Sequence, residues 1–288
     1  MKDFNDFIRL LGNLDSVMID ISSNVKGKKL SELGTIKVAL LDLIKRIHAN
    51  LHVIKMILPE FIEVKTLAVP ISLLVRTCLS DALTGFYLLT FSKDEVSFQN
   101  ELNLMALDYI SYLAKLTQIE PHFSMPDLSP QEREKIVIEK LDEIALNYPD
   151  LIESRVNLKI IKKTPAEIRS SSNVKMFPFK EIMNLPLTDL SKFERLFDYP
   201  DEGMQSISYL YPLYRFYSQF HHYSVLTRKL MDLDIQVHKR HLTLSIFLLY
   251  QSLYSFCTAV EVPEELLIPI QQNIEEIYKT QKIDFDVS

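Results

Sequence analysis

The chain has 288 residues, 47% apolar and 24% charged, which is enough to bury a sizeable core and excludes global disorder. Only five glycines occur, which disfavours a sheet fold built on tight hairpins and excludes the glycine-rich phosphate loops of ordinary nucleotide-binding folds. A net charge of −6 excludes a protein coated in positive charge for duplex binding; two cysteines, Cys78 and Cys257, far apart in apolar runs, exclude a disulfide framework and point to a reducing, cytoplasmic compartment.

Apolar residues recur with helical period along most of the chain, and no stretch is read as alternating with period two. Helices are expected at about 3–24, 31–58, 70–91, 93–118, 129–147, 150–163, 187–198, 205–231, 236–259 and 263–280. Four starts match a capping box, in which a hydroxyl and a glutamate three residues on satisfy each other's backbone N–H groups: Ser92–Glu95, Ser129–Glu132, Thr164–Glu167 and Ser191–Glu194. Pro70, Pro130, Pro165 and Pro263 stand where a helix opens and a missing N–H costs nothing. The expected fold class is therefore all-α: one domain over 1–288, a multi-helix bundle of long helices. Eight of the thirteen prolines fall between about 120 and 200, which reads as a short-helix insertion or lid in the middle of the bundle.

Taken in chain order, the first polar feature is His48 and His52, four apart on a helix as in some metal sites. No glutamate follows His48 and no cysteine is near, so no metal and no cofactor are expected; His238 and His241 receive the same reading. Next come Arg76 and Asp81 inside the apolar run "ISLLVRTCLSDALTGFYLL", where each needs a partner on another element. Residues 155–180 carry Arg155, Lys159, Lys162, Lys163, Arg169, Lys175 and Lys180 against Glu167 alone, a local basic patch able to attract a polyanion or to solvate one helix face. The stretch 241–260, "HLTLSIFLLYQSLYSFCTAV", has the length of a membrane span, but its serines, threonines and glutamine suit a helix buried in a soluble protein, with no membrane as partner.

The richest stretch is "YRFYSQFHHYS", residues 214–224. On a helical wheel Leu213, Phe216, Phe220 and Thr227 form a stripe expected to pack inward, while Tyr211, Arg215, Ser218 and His222 share another face. His221 lies about a third of a turn away, beside Tyr217. Such a trio supports phosphodiester cleavage: a neutral imidazole takes the proton of a ribose 2′-hydroxyl, a guanidinium neutralises the phosphate, and a serine orients either group. Either Arg76 or Asp81 is expected to meet this face as a supporting group.

An arginine followed by histidine after a few residues, here Arg215 with His221 or His222, resembles the signature of HEPN-type ribonucleases. The stretch is also similar to the Tyr…Ser…His helix of uncharacterised all-helical bacterial proteins whose earlier helix carries an arginine in an apolar run, as Arg76 stands here. Phe216 follows the arginine directly, where HEPN nucleases usually carry a polar residue. The resemblance implies a cytoplasmic, homo-oligomeric, metal-independent endoribonuclease of host defence, with RNA held by Arg155, Lys159, Lys162, Lys163 and Arg169. The alternatives are a non-catalytic interaction protein in which Arg215, Ser218 and His222 form a buried polar network, and a ligand-binding bundle with a pocket of Tyr211, Tyr214 and Tyr217.

Overall fold

The computed structural model describes residues 4–26, 34–171, 184, 186–198, 207, 209–221, 229 and 233–281. Among them are ten α-helices and a single two-stranded hairpin, so the chain is all-α. They are α1 (Phe4–Lys26), α2 (Thr35–Ile57), α3 (Ala68–Leu89), α4 (Glu95–Ser124), α5 (Pro130–Asn147), α6 (Pro165–Ile168), α7 (Asp189–Asp198), α8 (Leu210–Ser218), α9 (Ile235–Ala259) and α10 (Glu264–Gln281). Residues fall into two compact units, one of 1–90 with 192–288 and one of 91–191. The proline-rich segment expected as an insertion lies mostly in the second unit, which begins well before it.

In the first unit α3 packs against α2, α8 and α9, and α10 packs against α9 and α1. The core is built from Val75, Leu79, Leu83 and Phe86 of α3 and Ile246, Leu249, Leu253 and Phe256 of α9, all buried. Gly85 sets the approach of these two helices. A Cβ there would lie 2.2 Å from the Phe256 ring, which itself packs on Phe86 at 4.9 Å.

Both α9 and the segment Lys65–Leu89 are long and apolar enough to cross a membrane by length and composition, yet 67% of the apolar window of α9 is buried in protein. Its hydroxyls explain how such a helix sits in a core. Thr243, Ser245, Ser252 and Thr258 each donate to the carbonyl four residues back, at 2.7–2.9 Å. Tyr250 closes the core by donating to the carbonyl of Leu10 on α1 (2.6 Å).

The second unit packs α4 on α5, with Leu104, Ile110, Leu141, Leu151, Ile152 and Ile168 inside. The helix expected over 150–163 is instead an antiparallel hairpin, β1 (Ile152–Val156) with β2 (Lys159–Lys162), registered by Val156 opposite Lys159 and Arg155 opposite Ile160. Asn157 takes the left-handed conformation (φ 52°) that the tight turn requires and asparagine tolerates. Helix α4 also runs six residues beyond its expected end at 118, through Pro121 to Ser124.

Two of the four expected capping boxes form, Ser129 with Glu132 and Thr164 with Glu167, and each holds its glutamate carboxyl below the usual range. The other two starts are displaced: Asp94 rather than Ser92 precedes α4, and Thr188 rather than Ser191 accepts from the first turn of α7. Of the expected helix over 205–231, Leu210–Ser218 is α-helical and continues as a 3₁₀ turn over Gln219–His221, while 222–228 lie outside the described residues.

Substituting Gly85→Ala removes glycine's helix penalty yet drives a methyl into Phe256. The expected net effect is a loss of about 1–3 kcal/mol in urea unfolding, largely recovered by adding Phe256→Leu. In the second unit Arg169 donates to both oxygens of Glu101 (2.7 and 2.8 Å), and both side chains are essentially inaccessible. Arg169→Ala strands the Glu101 carboxylate and is expected to cost on the order of 3–5 kcal/mol in the same measurement.

Candidate functional site

Helix α8 is only nine residues long and is held by a buried stripe of Leu210, Leu213 and Tyr217, continued by Phe220 in the following 3₁₀ turn. That stripe is rotated from the one expected. Tyr217, not Phe216, points inward, and burial holds its phenol far above the ordinary tyrosine range despite a hydrogen bond with Ser245. Phe216 is half-buried instead, its ring 4.0 Å from that of His241.

The rotation turns Tyr214 and Ser218, one helical turn apart, toward α3. There the Arg76 guanidinium donates through Nε to Ser218 Oγ (3.1 Å) and through Nη2 to the Tyr214 hydroxyl (3.3 Å), and its carbon lies 5.3 Å from the Tyr214 ring centre. Ser218 Oγ also donates to the Tyr214 carbonyl (2.7 Å). All three side chains are half-buried.

Aromatic rings continue this cluster outward. Tyr211 stacks on Tyr214 with centres 5.8 Å apart, and Phe193 of α7 stacks on Tyr211 at 4.6 Å with planes 16° apart. Arg76, Tyr214, Tyr211 and Phe193 thus form one column, ending beside the exposed ring of Phe197 at 6.0 Å from Phe193.

The other expected site residues fall elsewhere. Arg215 is exposed and does not share the Arg76 cluster, whose contacts to α8 are made by Tyr214 and Ser218. His221 ends the 3₁₀ turn, its side chain is outside the described residues, and so is all of His222. Asp81 is buried and pairs with Arg46 of α2 at 3.0 Å. Tyr211 contributes through its stack on Tyr214.

The basic patch is also thinner than its sequence suggests. Arg169 is inside the second unit against Glu101 and is unavailable to a polyanion. Arg155 is occupied by Asp142 and by the carbonyl of Asn157 (2.6 Å), and Lys162 donates to Ser111 (2.6 Å) while remaining exposed. Lys159 is exposed and Lys163 half-buried; Lys175 and Lys180 lie outside the described residues.

His48 and His52 converge with Lys55 on one carboxylate, Asp15 of α1, which accepts at 2.9 Å from His48 Nε2 and contacts His52 Nδ1 at 3.1 Å. Among the described residues no group of three or more His, Cys, Asp or Glu is arranged to hold a metal ion. His238 packs edge-on against Phe61 at 5.9 Å, and burial, with Arg240 and His238 nearby, holds the His241 imidazole below its ordinary value. Neither cysteine is a reactive thiol: both are buried, which pushes Cys257 up to about 12 and Cys78 higher still.

Tyr214 as an Arg76 partner and Asp15 as the acceptor for the histidine pair were not anticipated. The first was legible as the four-residue spacing of Tyr214 and Ser218; the second lies far from His48 in sequence and carries no local signal.

Partial burial raises the Asp15 carboxyl, but hydrogen bonds from Lys55, His48 and His52 outweigh it, so the folded value lies below the usual aspartate range. Its stabilising contribution is complete above the unfolded aspartate value and disappears as pH falls through the lower folded one. Asp15→Asn is therefore expected to lower the melting temperature at pH 7 and to leave a shallower loss between pH 5 and 2, followed by circular dichroism. An unchanged acid limb would contradict this. Comparison of the chain with protein-family models, with characterised proteins and with solved structures returns no match.

Proposed function

We propose that the first unit binds RNA at the Arg76–Tyr214–Ser218 cluster and cleaves it without a metal, in the manner of the HEPN-type ribonucleases that the 214–224 stretch resembles. The observation that supports this reading most is the delivery of the Arg76 guanidinium from an apolar helix to a half-buried position between two side chains of α8. A cation kept there has little reorganisation left to undergo when it meets a phosphate, which is what stabilising a developing negative charge requires.

In this reading Arg76 holds a non-bridging phosphate oxygen and Ser218 fixes the guanidinium. A histidine of the 221–222 pair takes the proton from the ribose 2′-hydroxyl. The 2′-oxygen attacks phosphorus, the bond to the 5′-oxygen breaks, and the proton passes to that leaving oxygen, giving a cyclic phosphate end and a 5′-hydroxyl end. Arg215, exposed on the same helix, contacts a neighbouring phosphate. A role in host defence, in the cytoplasm, follows from the same resemblance.

A second reading rests on Ser218, whose hydroxyl already has both a donor partner and an acceptor partner in the protein. A serine satisfied on both sides is also what a helix–helix strut in a non-catalytic interaction protein looks like.

The readings separate in one assay of RNA cleavage in excess chelator. The proposal expects turnover by the parent, a drop of about 10²–10⁴-fold for Arg76→Ala and for His222→Ala, and a smaller one for Ser218→Ala. An inert parent, with Arg76→Ala melting lower, supports the strut and rejects the nuclease.

A further inference from the structure

Helix α4 carries apolar side chains on two sides, and only one of them is used within the second unit. Leu104, Ile110, Ala114, Thr117 and Pro121 form the buried side. On another side Tyr109, Tyr112, Leu116, Ile119 and Phe123 stand exposed at 53, 59, 45, 52 and 80%. Their spacing alternates three and four residues, and half-buried Leu102 and Met105 extend the same series one heptad toward the N-terminus. The stripe is about 30 Å long at the rise of an α-helix.

A three–four alternation held over three heptads is the pattern of a seam that meets another helix along its length, because 3.5 residues per turn keeps such a seam facing its partner. A binding surface for a strand or a small ligand needs no such period. Roughly 500 Å² of apolar side chain stands in water here, at the upper end of what a monomer exposes. With the flanking residues it approaches the ~800 Å² per partner of a stable complex.

We propose that this seam pairs with the same seam of a second copy of the chain, in parallel. The flanking charges select that occupant. Lys115 and Glu120 lie on opposite edges of the seam, five residues apart, so in a parallel pair each Lys115 faces the other copy's Glu120, twice by symmetry. An antiparallel pair overlapping the whole stripe would put Lys115 beside Asp108 and leave Glu120 beside Ala106, so the Lys115–Glu120 match is particular to the parallel pair. A flank of one sign would call for a different protein of the opposite sign; this one complements itself. Glu120 is held at the seam's edge by Lys140 of α5 (2.8 Å), which sets the carboxylate before pairing. Each copy would thereby bury Tyr109, Tyr112, Leu116, Ile119 and Phe123 against their equivalents. The pairing does not depend on the RNA reading.

The test is sedimentation of the full chain at micromolar concentration. The parent is expected to be a dimer, and Ile119→Glu a monomer with an unchanged circular-dichroism spectrum, since Ile119 is exposed in the single chain. Lys115→Glu is expected to weaken the dimer by about tenfold, and Lys115→Glu with Glu120→Lys to restore it. Phe123→Cys is expected to give a cross-linked dimer on oxidation, with little background because both native cysteines are buried. A parent that stays monomeric up to about 100 µM, where interfaces of this size normally associate, overturns the proposal. So does a dimer indifferent to Ile119→Glu, and a dimer that Phe123→Cys fails to cross-link overturns the parallel arrangement.

Discussion

Helix α3 is enclosed by α2, α8 and α9, and this enclosure governs the first unit: the charged groups that α3 carries are met by neighbouring helices. Asp81 is met by Arg46 of α2, and Arg76 by Tyr214 and Ser218 of α8. Thr84 accepts from Lys192 of α7 (2.9 Å), and Tyr87 lies 5.3 Å below the guanidinium of Arg195. Gly85 lets Phe256 of α9 come close enough to seal the remaining side. The packing of α2, α7 and α8 is thus specified by polar demands from one apolar helix as well as by apolar area.

The same constraint explains why α8 differs from its reading on a helical wheel. Periodicity alone allows either Phe216 or Tyr217 to face the core, since both are large and apolar enough. Arg76 breaks the tie. Turning Tyr214 and Ser218 toward it carries Tyr217 inward and Arg215 out to solvent, because the four positions are fixed relative to one another by the helix. A half-buried cation on one helix therefore selected the rotation of another, and no local pattern in 210–221 contains that information.

What was legible in the sequence follows physical range. Two of the capping boxes are local, involve four residues each, and form as read; the start of α7 shifts because Thr188, three residues before Ser191, accepts from its first turn, and α4 starts after Asp94 with no side-chain cap. The hairpin at 152–162 carries no alternating apolar pattern, because its strands are only five and four residues long and mostly exposed, although Asn157 marks its turn. The basic stretch 155–180 was legible as charge but not as surface: Glu101, 68 residues from Arg169, internalises that arginine, while Lys159 and Lys162 stay exposed. Asp15 and the histidine pair, like Arg76 and Ser218, come together only through packing.

The engagement of Arg76 by α8 is the contact on which both the helix rotation and the proposed site rest. A double-mutant cycle on urea unfolding, with Arg76→Met, Ser218→Ala and the two combined, measures it directly. The expected result is a coupling on the order of 1 kcal/mol between the two positions, as for a half-buried charged hydrogen bond. Strictly additive losses would contradict it, and with it the rotation of α8.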